Sequence, residues 1–480
     1  MKKWMIRALS ALLIAAFLPL SVLADEYDLS EGSVTVSTTK GADGSTQQDV
    51  SHKGTTKPDS NPTITSKGQQ TGNTITIKAG AGTTANVTIK DANISASSGK
   101  AAIKTGGDGN VNLNVEGTNT VSSGSNYAGV EKANAGNLTI GSESGSGELT
   151  ANGGWHGAGI GGGHYRDAND ITITGGEVTA NGGDGAAGIG GGYYSYGKDI
   201  TISGGKVVAN GSGSAAGIGG GHYGNGSNIT ISGGEVTATG GDYGAGIGGG
   251  YYGNGSNITI SGGEVTATGG DCGAGIGGGY GRGGSNIAIS KDSQVEAVGG
   301  AVGGAGGSSD GCGAAIGNGG NNNRVNGSEI EPDTSGLYTT GKVERKHGNG
   351  TVLDTITGTV EPPKPTEPEK SASSEEEPDT REPLYRVLNL DGSSLKHQAQ
   401  KADGVLALTA KADGAILTGT LRALGYLQNQ GIEKITFTAG THSAELVLAE
   451  LIAKGQPEDV YVLTLGAENT LTLNGEAIDF

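Results

Sequence analysis

The stretch GAGIGGGYYGNGSNITISGGEVTAT, residues 244–268, carries the fold in miniature. Ile258-Thr259-Ile260 and Val265-Thr266-Ala267 alternate apolar and polar side chains with a period of two, which predicts two strands that each bury one face. The β-branched residues stand where a pleated surface favours them. Ala245-Gly246-Ile247-Gly248-Gly249 predicts a third, shorter strand. Between the strands lie GG, GNGS and, just beyond, GGD, turn signals able to supply the positive φ angles of tight corners.

The phrase recurs at 157–181, 186–210 and 215–239, and in a more drifted form at 273–297. Ile160, Ile189, Ile218, Ile247 and Ile276 follow one another at intervals of 29 residues, as do Ile171, Ile200, Ile229, Ile258 and Ile287. Three strands and three corners in each unit describe one triangular coil, and an array of such units describes a solenoid. The expected fold is therefore all-β: a parallel β-helix with 29-residue coils. Coils of that length exceed the hexapeptide type of left-handed helix, so the right-handed form is expected. Weaker coils continue upstream through Val87, Val111 and Leu138 to Ile171, at intervals of 24, 27 and 33 residues. Strands near Val34, Thr63 and Ile75 are expected to begin the helix and cap it.

This period gives the composition its meaning. The chain has 480 residues with 96 glycines and 4% aromatics, an unusual make-up for a globular enzyme. Of those glycines, 61 fall between Ala151 and Gly320, the span of the regular coils. They have no strict every-third spacing, which excludes collagen, and the periodic apolar residues exclude a flexible Gly/Ser linker.

Four segments are expected. Residues 1–24 read as a secretory signal peptide, with Lys2, Lys3 and Arg7 ahead of an apolar run and small-residue spacing at Val22-Leu23-Ala24. The expected location is thus secreted or cell-surface associated, without membrane insertion. Residues 25–360 form the β-helix. Residues 361–383 hold six of the 11 prolines and eight acidic residues, an extended linker. Residues 384–480 read as a small α+β domain, in which TLRALGYLQNQG is a helix capped by Thr420 and KITFTAG, AELVLAEL, VYVLTLG and NTLTLNG are strands. The formal charge of −18 becomes 28 − 49 = −21 without the first 24 residues, which disfavours nucleic acid and anionic lipid as partners.

Stacking turns each repeated position into a row along the solenoid. One row reads His164, Tyr193, His222, Tyr251, Tyr280, and its neighbour reads Tyr165, Tyr194, Tyr223, Tyr252. Such an aromatic strip could pack against sugar rings through C–H to π contacts, with hydroxyls and imidazoles hydrogen-bonding to the sugar; the plainer alternative is a stacked corner that only stabilises the fold. Asp170, Asp199, Asn228, Asn257 and Asn286 form a polar row, as do Thr172, Thr201, Thr230 and Thr259. Asp184, Asp242 and Asp271 follow GG in three coils, where they either cap corners or offer oxygen ligands to Ca²⁺. Gly157, Gly159 and Gly162 match GxGxxG, but the pattern recurs at Gly244, Gly246 and Gly249 and at Gly273, Gly275 and Gly278 and precedes turns and strands, not a helix, which argues against a dinucleotide site. Cys272 and Cys312 each lie four residues before a repeated isoleucine, Ile276 and Ile316. That places them at equivalent points of successive coils, within reach of a disulfide.

The phrases ANVTIKDANISASSG, VEGTNTV and GVEKANAGNLTIGSESGSGELTA, with the GAGIGGG and ITISGGEVTA units, resemble the carbohydrate-binding β-helix family of clostridial and related secreted bacterial proteins. The resemblance implies a polysaccharide-lyase-like helix that binds an extracellular glycan, with calcium in some members. A non-catalytic polysaccharide-binding protein is the first expectation. A lyase or hydrolase on the same fold, or an adhesin for a protein partner, are the alternatives; Arg166 and Arg282 stand apart in their rows, which argues against lyase chemistry.

Overall fold

A computed structural model describes residues 25–41, 44–301, 313–320, 326–361, 385–390, 395, 397–402, 404–429, 432–455, 459–466, 469–474 and 476–478. The expected signal peptide and nearly all of the expected linker lie outside these residues. The chain divides into two compact units, the first ending at Glu367 and the second beginning at Pro368.

The first unit is a parallel β-helix of three long sheets, with 10, 12 and 11 strands. Each regular coil contributes one strand to each sheet. On the first sheet Ile171, Ile200, Ile229, Ile258 and Ile287 pair in sequence, and on the second Ile160, Ile189, Ile218, Ile247, Ile276 and Ile316 do so. The third sheet stacks Val178, Val207, Val236, Val265, Val295 and Val343. All of these side chains point inward and are buried in one continuous core. Because the side-chain period is two, this register fixes which residues face outward: Thr172, Thr201, Thr230 and Thr259 stand on the other side of the first sheet.

The weaker upstream coils are present, with one change of register. Val87 stacks on Leu113, and it is Val111 that stacks on Leu138. The 24-residue interval from Val87 to Val111 is thus a slip of two residues. Such a slip keeps the same face inward, so hydropathy alone cannot detect it.

Both ends of the solenoid are closed by antiparallel strands. Val34–Lys40 pairs in parallel with Ile75–Ala79 and antiparallel with Thr46–His52, which in turn pairs with Thr55–Pro58. At the other end Val352–Thr357 folds back on Lys342–Lys346. There Arg345, almost fully buried, is paired with Asp354, Glu331 and Glu329. The third sheet thus ends on a short antiparallel strand and not on the parallel stack itself.

The second unit has a five-stranded antiparallel sheet and a four-stranded mixed sheet. Its core includes Leu408, Leu417, Leu424, Phe437, Tyr461 and Leu463. The helix runs Leu421–Asn429, and the amide of Ala423 donates to Thr420 Oγ1 at 3.2 Å, the expected cap. AELVLAEL is only partly a strand: His442–Val447 is extended, but Leu448–Ile452 turns into a short helix that buries Leu448 and Leu451. Leucine, alanine and glutamate are strong helix formers, and packing here decides between two states that the apolar run permits equally.

Candidate functional site

The two aromatic rows stand at one corner of the regular coils. In the outer row Tyr165 and Tyr194, Tyr194 and Tyr223, and Tyr223 and Tyr252 have ring centroids 5.6, 5.3 and 5.8 Å apart and planes within 15° of parallel. In the inner row Tyr193, His222, Tyr251 and Tyr280 are spaced by 5.1 to 5.2 Å. From Tyr193 onward contacts between the rows are edge to face, such as Tyr193 with Tyr194 at 4.3 Å and 90°, whereas in the first coil His164 stacks on Tyr165 at 4.0 Å. The rings therefore form a herringbone, both favoured aromatic geometries at once.

This arrangement decides which parts of the rings a ligand can reach. Parallel rings at these distances are closer than coplanar rings can stand side by side, so each covers part of its neighbour's face. The strip turns ring edges and phenol ends outward, and a flat platform for a sugar ring is confined to its ends. At one end Arg282 lies 5.8 Å over the ring of Tyr252. At the other, Trp155, 61% exposed, extends the strip through His156, which stacks on Tyr193 at 4.2 Å. Tyr280, counted with the strip from its position, is only 3% exposed because Tyr243, Tyr251 and Tyr252 enclose it. Trp155, His156, Tyr196 and Tyr243 belong to neither row, since none occupies a position that is aromatic in successive coils; His156 and Tyr243 share one position but stand three coils apart.

The backbone beneath the outer row is unusual. Tyr165, Tyr194, Tyr223 and Tyr252 all adopt left-handed φ values, +57°, +62°, +58° and +52°. The equivalent residue of the next coil is Gly281, at +66°. A bulky L-residue in this region is disfavoured by roughly 1–2 kcal/mol. The inner row has its own requirement: a Cβ on Gly185 would come within 2.2 Å of the Tyr193 ring, so that ring lies directly on a glycine corner.

Protonation is shaped by the same packing. A hydrogen bond with Tyr194, then burial, pushes the Tyr193 phenol up to about 12, and burial followed by a hydrogen bond with Tyr252 does the same for Tyr251. Burial pushes the imidazoles of His164 and His222 down, which keeps them neutral at neutral pH.

The other rows have structural duties. Asp170, Asp199, Asn228, Asn257 and Asn286 are also left-handed, a conformation their short polar side chains tolerate. From Asp199 onward they hydrogen-bond in a ladder at 2.8 to 3.0 Å. Asp271 is held up by burial and by neighbouring Asp242, but among the described residues no group of three or more His, Cys, Asp or Glu is placed to hold a metal ion. Cys272 is buried. Cys312 lies outside the described residues, although Ile276 and Ile316, on which the pairing argument rests, are in register.

Arg166 is less isolated than its row implies. With Lys104, Asn126, Tyr127, Glu131 and His164 it lines a cavity at the Trp155 end of the strip. Glu131 is 1% exposed, and burial raises its pKa against the opposing pull of Lys104, whose ammonium lies 3.7 Å away. The signal for it was present in sequence: GVEK of residues 129–132 aligns with GIGG of 159–162, so Glu131 stands where the next coil has Gly161.

A family model described as a beta helix repeat matches five segments, residues 144–164, 171–193, 200–222, 229–251 and 258–280. The matched repeats all lie in the first unit, whose fold is a parallel β-helix. No curated protein and no solved structure matches it. Each matched segment ends in or beside the aromatic rows, at His164, Tyr193, His222, Tyr251 and Tyr280, so the β-helix repeat and the strip share one period. Among the described residues no helix is long and apolar enough to cross a membrane.

Proposed function

We propose that this β-helix is a secreted, non-catalytic protein that binds an extracellular polysaccharide along its aromatic corner. The observation that carries the reading is the left-handed backbone under four successive tyrosines. Stacking in such a row is worth about 0.5–1.5 kcal/mol per pair, and the backbone cost is of similar size. Tyr194 makes four ring contacts, enough to hold the strained backbone, and the rings held in this way stay exposed along one corner. Strain maintained at repeated exposed positions is a mark of a functional surface. Phenol ends and imidazoles repeated once per coil offer hydrogen bonds at a constant interval, which suits a polymer of hydroxylated units better than a compact ligand.

The test is retention on insoluble polysaccharides by the intact protein and by the double variant Tyr194→Gly, Tyr223→Gly. The variant keeps the backbone geometry and removes the rings. Expected is retention of the native chain and its loss in the variant; equal retention would sink the proposal. Release of unsaturated uronide during the incubation would replace it with the lyase reading.

A further inference from the structure

The glycine thread of the second sheet ends in a charged residue. Gly161, Gly190, Gly219, Gly248, Gly277 and Gly317 occupy one position coil after coil with φ between +132° and +144°, and at the first five a Cβ would come within 2.1 Å of the next coil's carbonyl oxygen. Glu131 precedes them in the same register, paired with Gly161. Its Oε2 accepts from the amide of Ala128 at 3.2 Å. Its Oε1 is buried without a hydrogen-bond partner, and so is Nε2 of His164. Nε2 of His164 is left unsatisfied, and Oε1 of Glu131 has only the Lys104 ammonium at 3.7 Å, beyond hydrogen-bond length; a buried polar atom without a full hydrogen bond costs about 1–3 kcal/mol.

The wall also carries a surplus of positive charge. Lys104 lies 3.7 Å from Glu131 Oε1 and 5.5 Å above the ring of Tyr127, while Arg166 is exposed at the mouth and makes no ion pair among those described. Two cations face one carboxylate, in a chain whose formal charge is −18. Such a site selects a monoanion. The guanidinium matches a carboxylate by two parallel hydrogen bonds, and the orphaned Glu131 oxygen calls for a donor such as a hydroxyl. The cavity, about 370 Å³, falls at the small end of ligand sites and suits a single ring.

We propose that this cavity holds one sugar unit bearing a carboxylate, with Arg166 and Lys104 on the carboxylate and Glu131 and His164 on the hydroxyls. The proposal deepens the polysaccharide reading and rests on it for the choice of a sugar, because the cavity opens at one end of the strip and shares His164 with it. The residues are binding groups; a lone carboxylate lacks the partner that glycoside hydrolysis requires.

Saturation-transfer NMR titration of the full chain with methyl glucuronoside, methyl glucoside and acetate tests it. Expected is binding of the glucuronoside at least about tenfold tighter than either control, with a loss of about tenfold or more in Arg166→Ala, whose exposed side chain can be removed without disturbing the core. Lys104→Met should weaken binding in the same direction. No glucuronoside binding, equal affinity for acetate or for the glucoside, or an unchanged Arg166→Ala each overturns the proposal. Retention on insoluble polysaccharide, followed in the same preparations, reports on the strip. A protein that binds the glucuronoside but is not retained sinks the strip and leaves the cavity, and the converse leaves the strip alone.

Discussion

Tyr194 holds two opposed preferences, a ring that stacks on both neighbours and a backbone that would be easier as glycine. Their balance can be measured. Tyr194→Gly is expected to unfold at higher denaturant than Tyr194→Ala by about 1 kcal/mol, because alanine loses the ring yet keeps the left-handed cost. Equal stabilities would show that the corner is not strained. Glu131 gives a pH-dependent counterpart. Its folded pKa is raised, so the folded chain holds this proton more tightly than the unfolded chain does. The group's stabilising contribution is then complete below the unfolded value and is lost as pH rises through it toward the folded one. Glu131→Gln should therefore be more stable than the native chain at neutral pH and match it at pH low enough to protonate the carboxyl in both the folded and the unfolded chain. A gap that is independent of pH would deny that the carboxylate is destabilised by burial. The two residues also differ in legibility. The tyrosines announce themselves by recurring every 29 positions, whereas Glu131 occurs once and matters through where the fold leaves it.

At the scale of the coil, the sequence specifies strands well and exact neighbours less well. The three strands of each regular unit follow from alternation and turn glycines, and the structure has all three. The irregular coils kept the correct face but allowed a two-residue slip at Val87, because the pleat repeats every two residues. Most glycines could be recognised as corners, but not which of them are obligatory. Gly219 is: its φ is +132° and a Cβ would meet the oxygen of Gly248 at 2.1 Å. Gly219→Ala should cost about 3 kcal/mol or more, with Gly68→Ala as the control, since Gly68 has φ +74° and open space around it and should lose only about 1 kcal/mol. Urea unfolding of the two variants compares them, and equal losses would mean that conformation alone, without the clash, sets the cost. The last coil carries its own prediction. Ile276 and Ile316 are in register and each follows a cysteine by four residues in sequence, so a bridge between Cys272 and Cys312 stays the expectation. Intact mass after alkylation should show no labelled thiol until reductant is added; two labelled thiols beforehand would exclude the bridge.

The whole chain comprises two units with different grammars. The buried cluster of the first runs from Tyr27 to Val343 and that of the second from Val387 to Leu473, and neither includes a residue of the other. The first gains its core one coil at a time, so its stability depends on neighbours stacking, and the strained tyrosine corner and the glycine thread are tolerable because ladders on both sides over-determine them. The second is built on contacts within one small domain, including a parallel strand pair, Val405–Ala410 with Lys434–Ala439, and a helix cap at Thr420. Each should therefore fold without the other. Residues 25–361 and residues 368–480, prepared separately, are expected to unfold cooperatively at the two temperatures seen in the full chain, as followed by calorimetry. The glycine-rich unit should show the smaller loss of stability when its far end is shortened by one regular coil, since nearest-neighbour stacking confines the damage to the new end. If residues 368–480 show no transition alone, their core is not self-sufficient, and the division of the chain at Glu367 does not mark an independent folding unit.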